Sequence, residues 1–397
     1  MINFEFYNPT KVIFGKDTEK LVGQEIRSLG YKKALIHFGG ARGSYLIKNG
    51  LLDRVHASLS EAGIAYIDFD GVVPNPRLQL AKDGVSLCKK EGIDFILAVG
   101  GGSAIDSAKA IAYGIANDFD LEDLYMGRVT TDKCAPVGCI STIAASGSET
   151  SNSSVITVEN GMLKRAYNHD CARPKFAIMN PELTYSLPAY QTASGGADIM
   201  MHTMERYFTN VDHVDLTDKM GEGLMVCVRE NLLKVLKDPA NYDARAELMW
   251  AGSLSHNGVT GTGRVSDNAS HKIEHELGGM FDVAHGAGLC AIWSSWARYV
   301  YQTNIPRFAQ FAVNVMGCEP DFHDLDQTAL KGIEAMENFY QRIGMPINLK
   351  QLGIEPSDAQ LEELAEKCAA AGNGTVGNLQ KLTRKDLLII YRMARDK

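Results

Sequence analysis

A chain of 397 residues is long for one hydrophobic core and comfortable for two, and its make-up of 45% hydrophobic and 22% charged residues is that of an ordinary globular protein. With 40 Lys and Arg against 48 Asp and Glu, the formal charge is −8 and no long block carries one sign, which argues against nucleic acid or an anionic membrane surface as a partner. The opening Met1–Tyr7 lacks the basic and apolar segments of a secretory signal, and no stretch reaches the ~18 apolar residues that span a bilayer, so a cytoplasmic protein is expected.

The first 185 residues read as strands alternating with helices. Short apolar runs at residues 33–38, 65–69, 95–99, 136–140 and 176–179 predict strands, and the amphipathic stretches 51–62 and 78–90 predict helices. That rhythm implies a parallel sheet covered by helices. Beyond Pro188 the texture becomes long helical periods, at 217–236, 244–256 and 325–343, with almost no β-branched runs. Asn180-Pro181 and Leu187-Pro188 punctuate the change. The expectation is an α/β domain over 1–185, Rossmann-like with a parallel sheet, and an all-α domain over 186–397. Two such domains leave a cleft, where ligands commonly bind. The eight cysteines are scattered without a CxxC pair; Cys134 and Cys139 are the closest, and nothing downstream completes a zinc quartet. Reduced thiols are expected.

Two glycine-rich turns follow predicted strands. Val99-Gly100-Gly101-Gly102-Ser103 opens a helix, with Ser103 placed as its N-cap, and offers close backbone approach and a helix N-terminus to a phosphate. It is not the GxGxxG fingerprint. The second turn, Gly39-Gly40-Ala41-Arg42-Gly43-Ser44, has Arg42 where a ribose-binding acid often stands, which leans toward NADP(H) over NAD(H). The segment Ser141–Thr150 is dense in hydroxyls directly after a strand.

Asp198 and His202 lie four apart and so share a helix face; His271 and His275 repeat the spacing, and His285 follows. Three of the ten histidines thus fall within fifteen residues. Imidazole with carboxylate suits Fe²⁺, Zn²⁺ or another first-row ion, and the absence of HExxH removes a zincin protease.

With these motifs, together with Asn8–Gly15, Pro74-Asn75-Pro76, Ala145–Glu149 and Pro174–Ile178, the sequence resembles the iron-containing alcohol dehydrogenases, closest to the butanol dehydrogenase-like branch, over nearly the whole chain. The resemblance implies the fold these enzymes share with dehydroquinate synthase, and interconversion of alcohols with aldehydes or ketones through NAD(P) and one divalent metal ion. It implies Asp198, His202, His271 and His285 as metal ligands and His275 as a non-ligand histidine facing the nicotinamide, our candidate for proton relay. It implies nucleotide contacts at Gly39, Gly40, Asn75, Gly101, Gly102, Ser103, Thr142, Ser151, Ser153, Lys164 and Leu183. A homodimer or larger homo-oligomer is the family habit. One departure stands out: Ser266-Asp267-Asn268-Ala269 replaces the usual Gly-Asp-Trp-Ala, and losing that tryptophan removes an apolar wall expected near the site. A polyol dehydrogenase or a dehydroquinate synthase-type lyase of the same fold is the nearest alternative. A lyase needs a basic cluster for substrate phosphate that the helical half lacks, and a metal-dependent hydrolase would leave the GGGS turn without a role.

Overall fold

The structure is a computed structural model, and it describes residues 1–40 and 48–397. Arg42, which carries the lean toward a 2′-phosphate, lies outside the described residues.

The N-terminal half begins with strand β1 (Lys11–Phe14) and continues with α1 (Val22–Ser28), β2 (Lys33–Gly39), α2 (Leu51–Glu61), β3 (Ala65–Val72), α3 (Leu78–Glu91), β4 (Phe95–Gly100) and α4 (Gly102–Ala116). After a short helix, α5 (Leu121–Tyr125), come β5 (Val137–Ser141), a hairpin of β6 (Ser153–Val158) and β7 (Leu163–Asn168), and β8 (Phe176–Met179). Six strands form one sheet in the order β1-β8-β5-β4-β2-β3, and every pairing in it is parallel. Burial on both faces explains why β4, Phe-Ile-Leu-Ala-Val-Gly, is apolar without alternation. The alternation survives in what each residue touches. Ala34, Ile36, Phe38, Leu97 and Val99 pack on one side with Val22, Leu51 and Val55. Leu35, Ile96 and Ala98 pack on the other with Ala108 and Ile111 of α4.

Three strands of this half escaped the sequence reading. β1 is an edge strand whose four residues are only partly buried, so its apolar signal is weak. The antiparallel β6–β7 hairpin interrupts the parallel rhythm.

The helical half comprises α6 (Ala189–Tyr207), α7 (Asp215–Lys237), α8 (Tyr242–His256), α9 (Ala269–Phe281), α10 (His285–Val300), α11 (Ile305–Asn314), α12 (Leu325–Arg342), α13 (Asp358–Ala371) and α14 (Arg384–Asp396). The chain divides into an α/β unit of Tyr7–Leu187 with Pro239–Ser253, and a helical unit of Met1–Phe6, Pro188–Asp238 and Leu254–Lys397. Met249 of α8 accordingly sits in the α/β core. Among the described residues, no helix is long and apolar enough to cross a membrane.

Candidate active site

In the α/β unit, parallel strands deliver their loops to one edge of the sheet. Gly39 ends β2 and Gly40 follows it, Asn75 follows β3, the Gly100–Ser103 turn begins at the last residue of β4, Thr142 follows β5 and Leu183 follows β8. This carboxyl edge is where α/β sheets bind ligands. Asn75, 7% exposed, holds a left-handed backbone with φ 52, and the Thr157 N–H donates to Pro76 O, tying this corner to β6. Ser151 and Ser153 are buried at the base of the hairpin, and Lys164 stands opposite Thr157 on β7. Leu183 is buried among Val22, Phe38 and Ile178, so its side chain belongs to the core.

Helix α4 starts two residues earlier than the sequence suggested. Its N-cap is Gly101, which has no side chain to cap with, and Ser103 lies inside the first turn. Extended backbone at Gly101 carries the strand up to the helix without a capping side chain. Ala104 and Ile105 donate to Gly101 O, so the Gly102 and Ser103 N–H groups have no carbonyl a turn back within the helix. The glycines are required by contact. A Cβ on Gly101 would stand 2.4 Å from Ile143 Cγ2, and one on Gly102 would stand 2.3 Å from Ser146 Oγ. The hydroxyl-rich segment after β5 therefore lies directly on the glycine turn.

In the helical unit, α6 places Asp198 and His202 on one face, α9 places His271 and His275, and His285 begins α10. Packing of α10 on α6 is close because Gly286 has no side chain; a Cβ there would stand 2.0 Å from Ser194 O. Asp198 Oδ1 lies 3.4 Å from His202 Nδ1, 3.5 Å from His271 Nε2 and 3.8 Å from His285 Nε2. Asp198 Oδ1, His202 Nδ1 and His271 Nε2 are all buried and none has a hydrogen-bond partner. Buried polar atoms are rarely left this way. Ligand atoms at ~2.1 Å from one tetrahedral ion stand about 3.4 Å apart, so the spacing and the donor set both fit a single first-row cation.

The other nitrogen of two of these imidazoles is engaged. His271 Nδ1 donates to Glu205 Oε2 at 2.6 Å, and the His271 backbone N–H donates to Glu205 Oε1 at 2.8 Å. His285 Nδ1 donates to Glu274, which is fully buried. With a proton held on Nδ1, each ring turns its Nε2 toward Asp198, where a cation would replace any proton on that nitrogen, the arrangement typical of carboxylate–histidine–metal sites. Neither glutamate was singled out in the sequence. Glu205 is three residues from His202 yet serves His271, a pairing visible only in three dimensions. Burial pulls His271 toward its neutral form, but Glu205 and Asp198 outweigh it and hold its pKa up at about 10. Burial, then the neighbouring His256, His271 and Arg206, push His202 well below the ordinary histidine range.

His275 lies beside the cluster, its ring 6.3 Å from that of His271 and 5.8 Å from that of His285. Glu274, His275 and His285 also bring ligand-type atoms within 4.8 Å of one another. His256 stacks on His202 with centroids 4.1 Å apart. Asn268 is exposed and takes φ 58 as N-cap of α9. Asparagine tolerates that left-handed backbone better than a bulky aromatic.

A parallel-sheet unit with a glycine-rich helix start and a helical unit with a carboxylate–imidazole cluster fit the architecture of a metal- and nucleotide-dependent enzyme. Residues 9–181 match the model for iron-containing alcohol dehydrogenases, and residues 192–395 match that of the Fe-containing alcohol dehydrogenase family C-terminal region. The chain belongs to the iron-containing alcohol dehydrogenase family, and is an oxidoreductase acting on alcohols and their carbonyl counterparts. It is 37% identical to a probable NADH-dependent butanol dehydrogenase 2 of Bacillus subtilis, over 99% of both chains. It is 31% identical to the NADPH-dependent aldehyde reductase YqhD of Escherichia coli, over the full length of both. The crystal structure of NADH-dependent butanol dehydrogenase A from Thermotoga maritima superposes with a TM-score of 0.94 at 34% identity, over 99% of both chains.

Proposed function

We propose that this chain is a butanol dehydrogenase-like enzyme that interconverts aliphatic aldehydes and alcohols, with Asp198, His202, His271 and His285 holding one divalent ion, Fe²⁺ or Zn²⁺. The observation that carries the reading is the convergence of three imidazole nitrogens on Asp198 Oδ1 at 3.4–3.8 Å, with Asp198 Oδ1, His202 Nδ1 and His271 Nε2 buried and without hydrogen-bond partners. Gly101, Gly102 and Ser103 hold the nucleotide diphosphate at the start of α4, with Gly39, Gly40, Asn75, Thr142, Ser151, Ser153, Lys164 and the backbone of Leu183 as further contacts. The α/β unit serves the nucleotide and the helical unit the metal. When bound, the ion supplies Lewis acidity toward the substrate oxygen, and the nicotinamide gives or takes the hydride.

The chain's own residues do the rest. Asp198 supplies the ligand set's negative charge. Glu205 and Glu274 fix the tautomers of His271 and His285 and keep those rings from rotating. His275 passes the hydroxyl proton to solvent or returns it, because an imidazole titrates near neutral pH and this one stands beside the ligands without an assigned place among them. Relatives named NADH-dependent butanol dehydrogenases are 34–37% identical, against 31% for the NADPH-dependent reductase, which supports NADH as the first nucleotide to try. A homodimer or larger homo-oligomer in the cytoplasm completes the reading, and light scattering checks the assembly.

The direct test is a panel of short and medium-chain alcohols, diols and aldehydes with NADH and NADPH, run on protein reconstituted with Fe²⁺ or Zn²⁺. Turnover of aldehydes and primary alcohols is expected. Protein carrying one ion per chain yet oxidising or reducing nicotinamide with none of them would refute the assignment.

A further inference from the structure

Helix α4, Gly-Ser-Ala-Ile-Asp-Ser-Ala-Lys-Ala-Ile-Ala-Tyr-Gly-Ile-Ala, carries a lysine where its neighbours Ala108, Ala110 and Ile111 are all completely buried. Lys109 is itself 0% exposed. A buried ammonium is costly unless its N–H groups are bonded, and here they are oversupplied with oxygen. Lys109 Nζ lies 2.8 Å from Ser148 O, 3.0 Å from Ser148 Oγ, 2.9 Å from Ser151 O and 2.8 Å from Ser153 O. One cation thus gathers three points of the six residues 148–153, which lead from the turn after β5 into the first residue of β6.

Asp106, one turn earlier on the same helix, grips the same stretch. It accepts from the Ser148 hydroxyl and, at 3.1 Å, from the Val155 N–H. The Ser154 hydroxyl donates to Asp106 O at 2.8 Å. Ser148 Oγ is therefore shared, accepting from Lys109 and donating to Asp106. The gripped stretch continues back into Ser146, whose Oγ accepts from the Ser148 N–H at 3.4 Å and occupies the space a Cβ on Gly102 would fill. Burial lowers the Lys109 pKa to about 8, with Asp106 as the main opposing influence, so the ammonium form holds at neutral pH.

We propose that Lys109 is a positioning residue for the nucleotide: its ammonium, with Asp106, sets the shape of residues 146–153 against the Gly101–Ser103 turn and thereby the affinity for the diphosphate of NAD(H) or NADP(H). The inference rests on the reading of that turn as the diphosphate site. A residue that only filled space here would be apolar. A cation bonded to three separate backbone carbonyls does something else: it dictates where the intervening serines stand.

The test measures binding of NADH and NADPH, by nicotinamide fluorescence, to the full-length metal-loaded wild type and to Lys109→Met, Ser148→Ala and the double variant. Metal content, kcat and KM, and hydrogen exchange over 142–153 are measured on each. For Lys109→Met the expected result is nucleotide affinity at least ~10-fold weaker, unchanged metal content, and kcat at saturating nucleotide within about threefold of wild type. Exchange over 142–153 should rise in the absence of nucleotide. Ser148→Ala should weaken binding by a smaller factor, and the double variant should be no weaker than Lys109→Met alone, because the two act through one network. Wild-type affinity in folded Lys109→Met would overturn the proposal, as would a fall in kcat with affinity and exchange intact. If Lys109→Met does not fold, Ser148→Ala decides: affinity and exchange equal to wild type would reject the clamp. Wild-type protein that binds neither nucleotide would reject the diphosphate reading itself, an outcome distinct from the other failures.

Discussion

Two clusters of buried polar groups, one in each unit, are arranged in opposite ways. In the α/β unit, Lys109 has four oxygen partners, and His37, fully buried on β2, bonds Phe69 O through Nδ1 and the Ser107 hydroxyl through Nε2. The chain satisfies these groups by itself. In the helical unit, Asp198 Oδ1, His202 Nδ1 and His271 Nε2 face one another with no hydrogen-bond partner, while Glu205 and Glu274 hold the outer nitrogens of two of the rings. The first pattern is that of a scaffold and the second that of a coordination site, in which donors satisfied from outside point inward at nothing the chain supplies.

The contrast is broken most severely by removing a donor from the second region. Asp198→Asn and His271→Ala should each empty the site of its ion and lower activity by about a thousandfold or more, several kcal/mol of transition-state stabilisation. Elemental analysis beside a rate assay checks this, and an active, ion-loaded Asp198→Asn would defeat the ligand assignment. Next in size is His275→Ala, which should keep its ion yet lose about 10²-fold or more in turnover and flatten the pH profile. Unchanged kinetics would take His275 out of the reaction.

The scaffold side yields a stability effect. Burial lowers the His37 pKa from 6.5 to about 4, the Phe69 carbonyl pulling weakly the other way. Between those values the unfolded chain binds more protons than the folded one, so stability rises with pH. The contribution is complete above about pH 6.5 and is lost as pH falls toward 4, amounting to about 3 kcal/mol. Asp267, which burial raises to about 6, acts in the opposite sense over part of the same window, so the comparison needed is between wild type and His37→Gln. Denaturation at pH 7 and pH 4.5 should show a smaller loss on acidification in the variant; equal losses would mean that His37 is not neutral in the fold. The smallest effect is expected from Glu205→Gln, which should weaken ion binding by about 10- to 100-fold while leaving the four proposed ligands in place. Competition with a chromophoric chelator reads it directly.

Most of the parallel sheet was legible because its strands are short apolar runs buried on both faces, and the Asp198–His202 and His271–His275 pairs because i, i+4 spacing on a helix is a local property. What went unread was either weak or tertiary. β1 is a half-exposed edge strand. The β6–β7 hairpin had a signal, Asn160-Gly161 between two runs, that the strand–helix rhythm masked. Ser103 looked like a cap because serine caps many helices, whereas the backbone here enters α4 through glycine alone. Lys109 was not singled out, although a lysine in a helix apolar on every face has no solvated position. Glu205 and Glu274 serve histidines on other helices or turns, a relation that no spacing along the chain expresses.

Gly286 carries a last consequence. Because α10 rests against the Ser194 carbonyl with no side chain between them, the residue after His285 works as a spacer of zero thickness. Any larger residue there would act as a wedge, lifting one donor away from three that remain fixed. Anyone reshaping this enzyme for bulkier substrates therefore has little freedom at that joint.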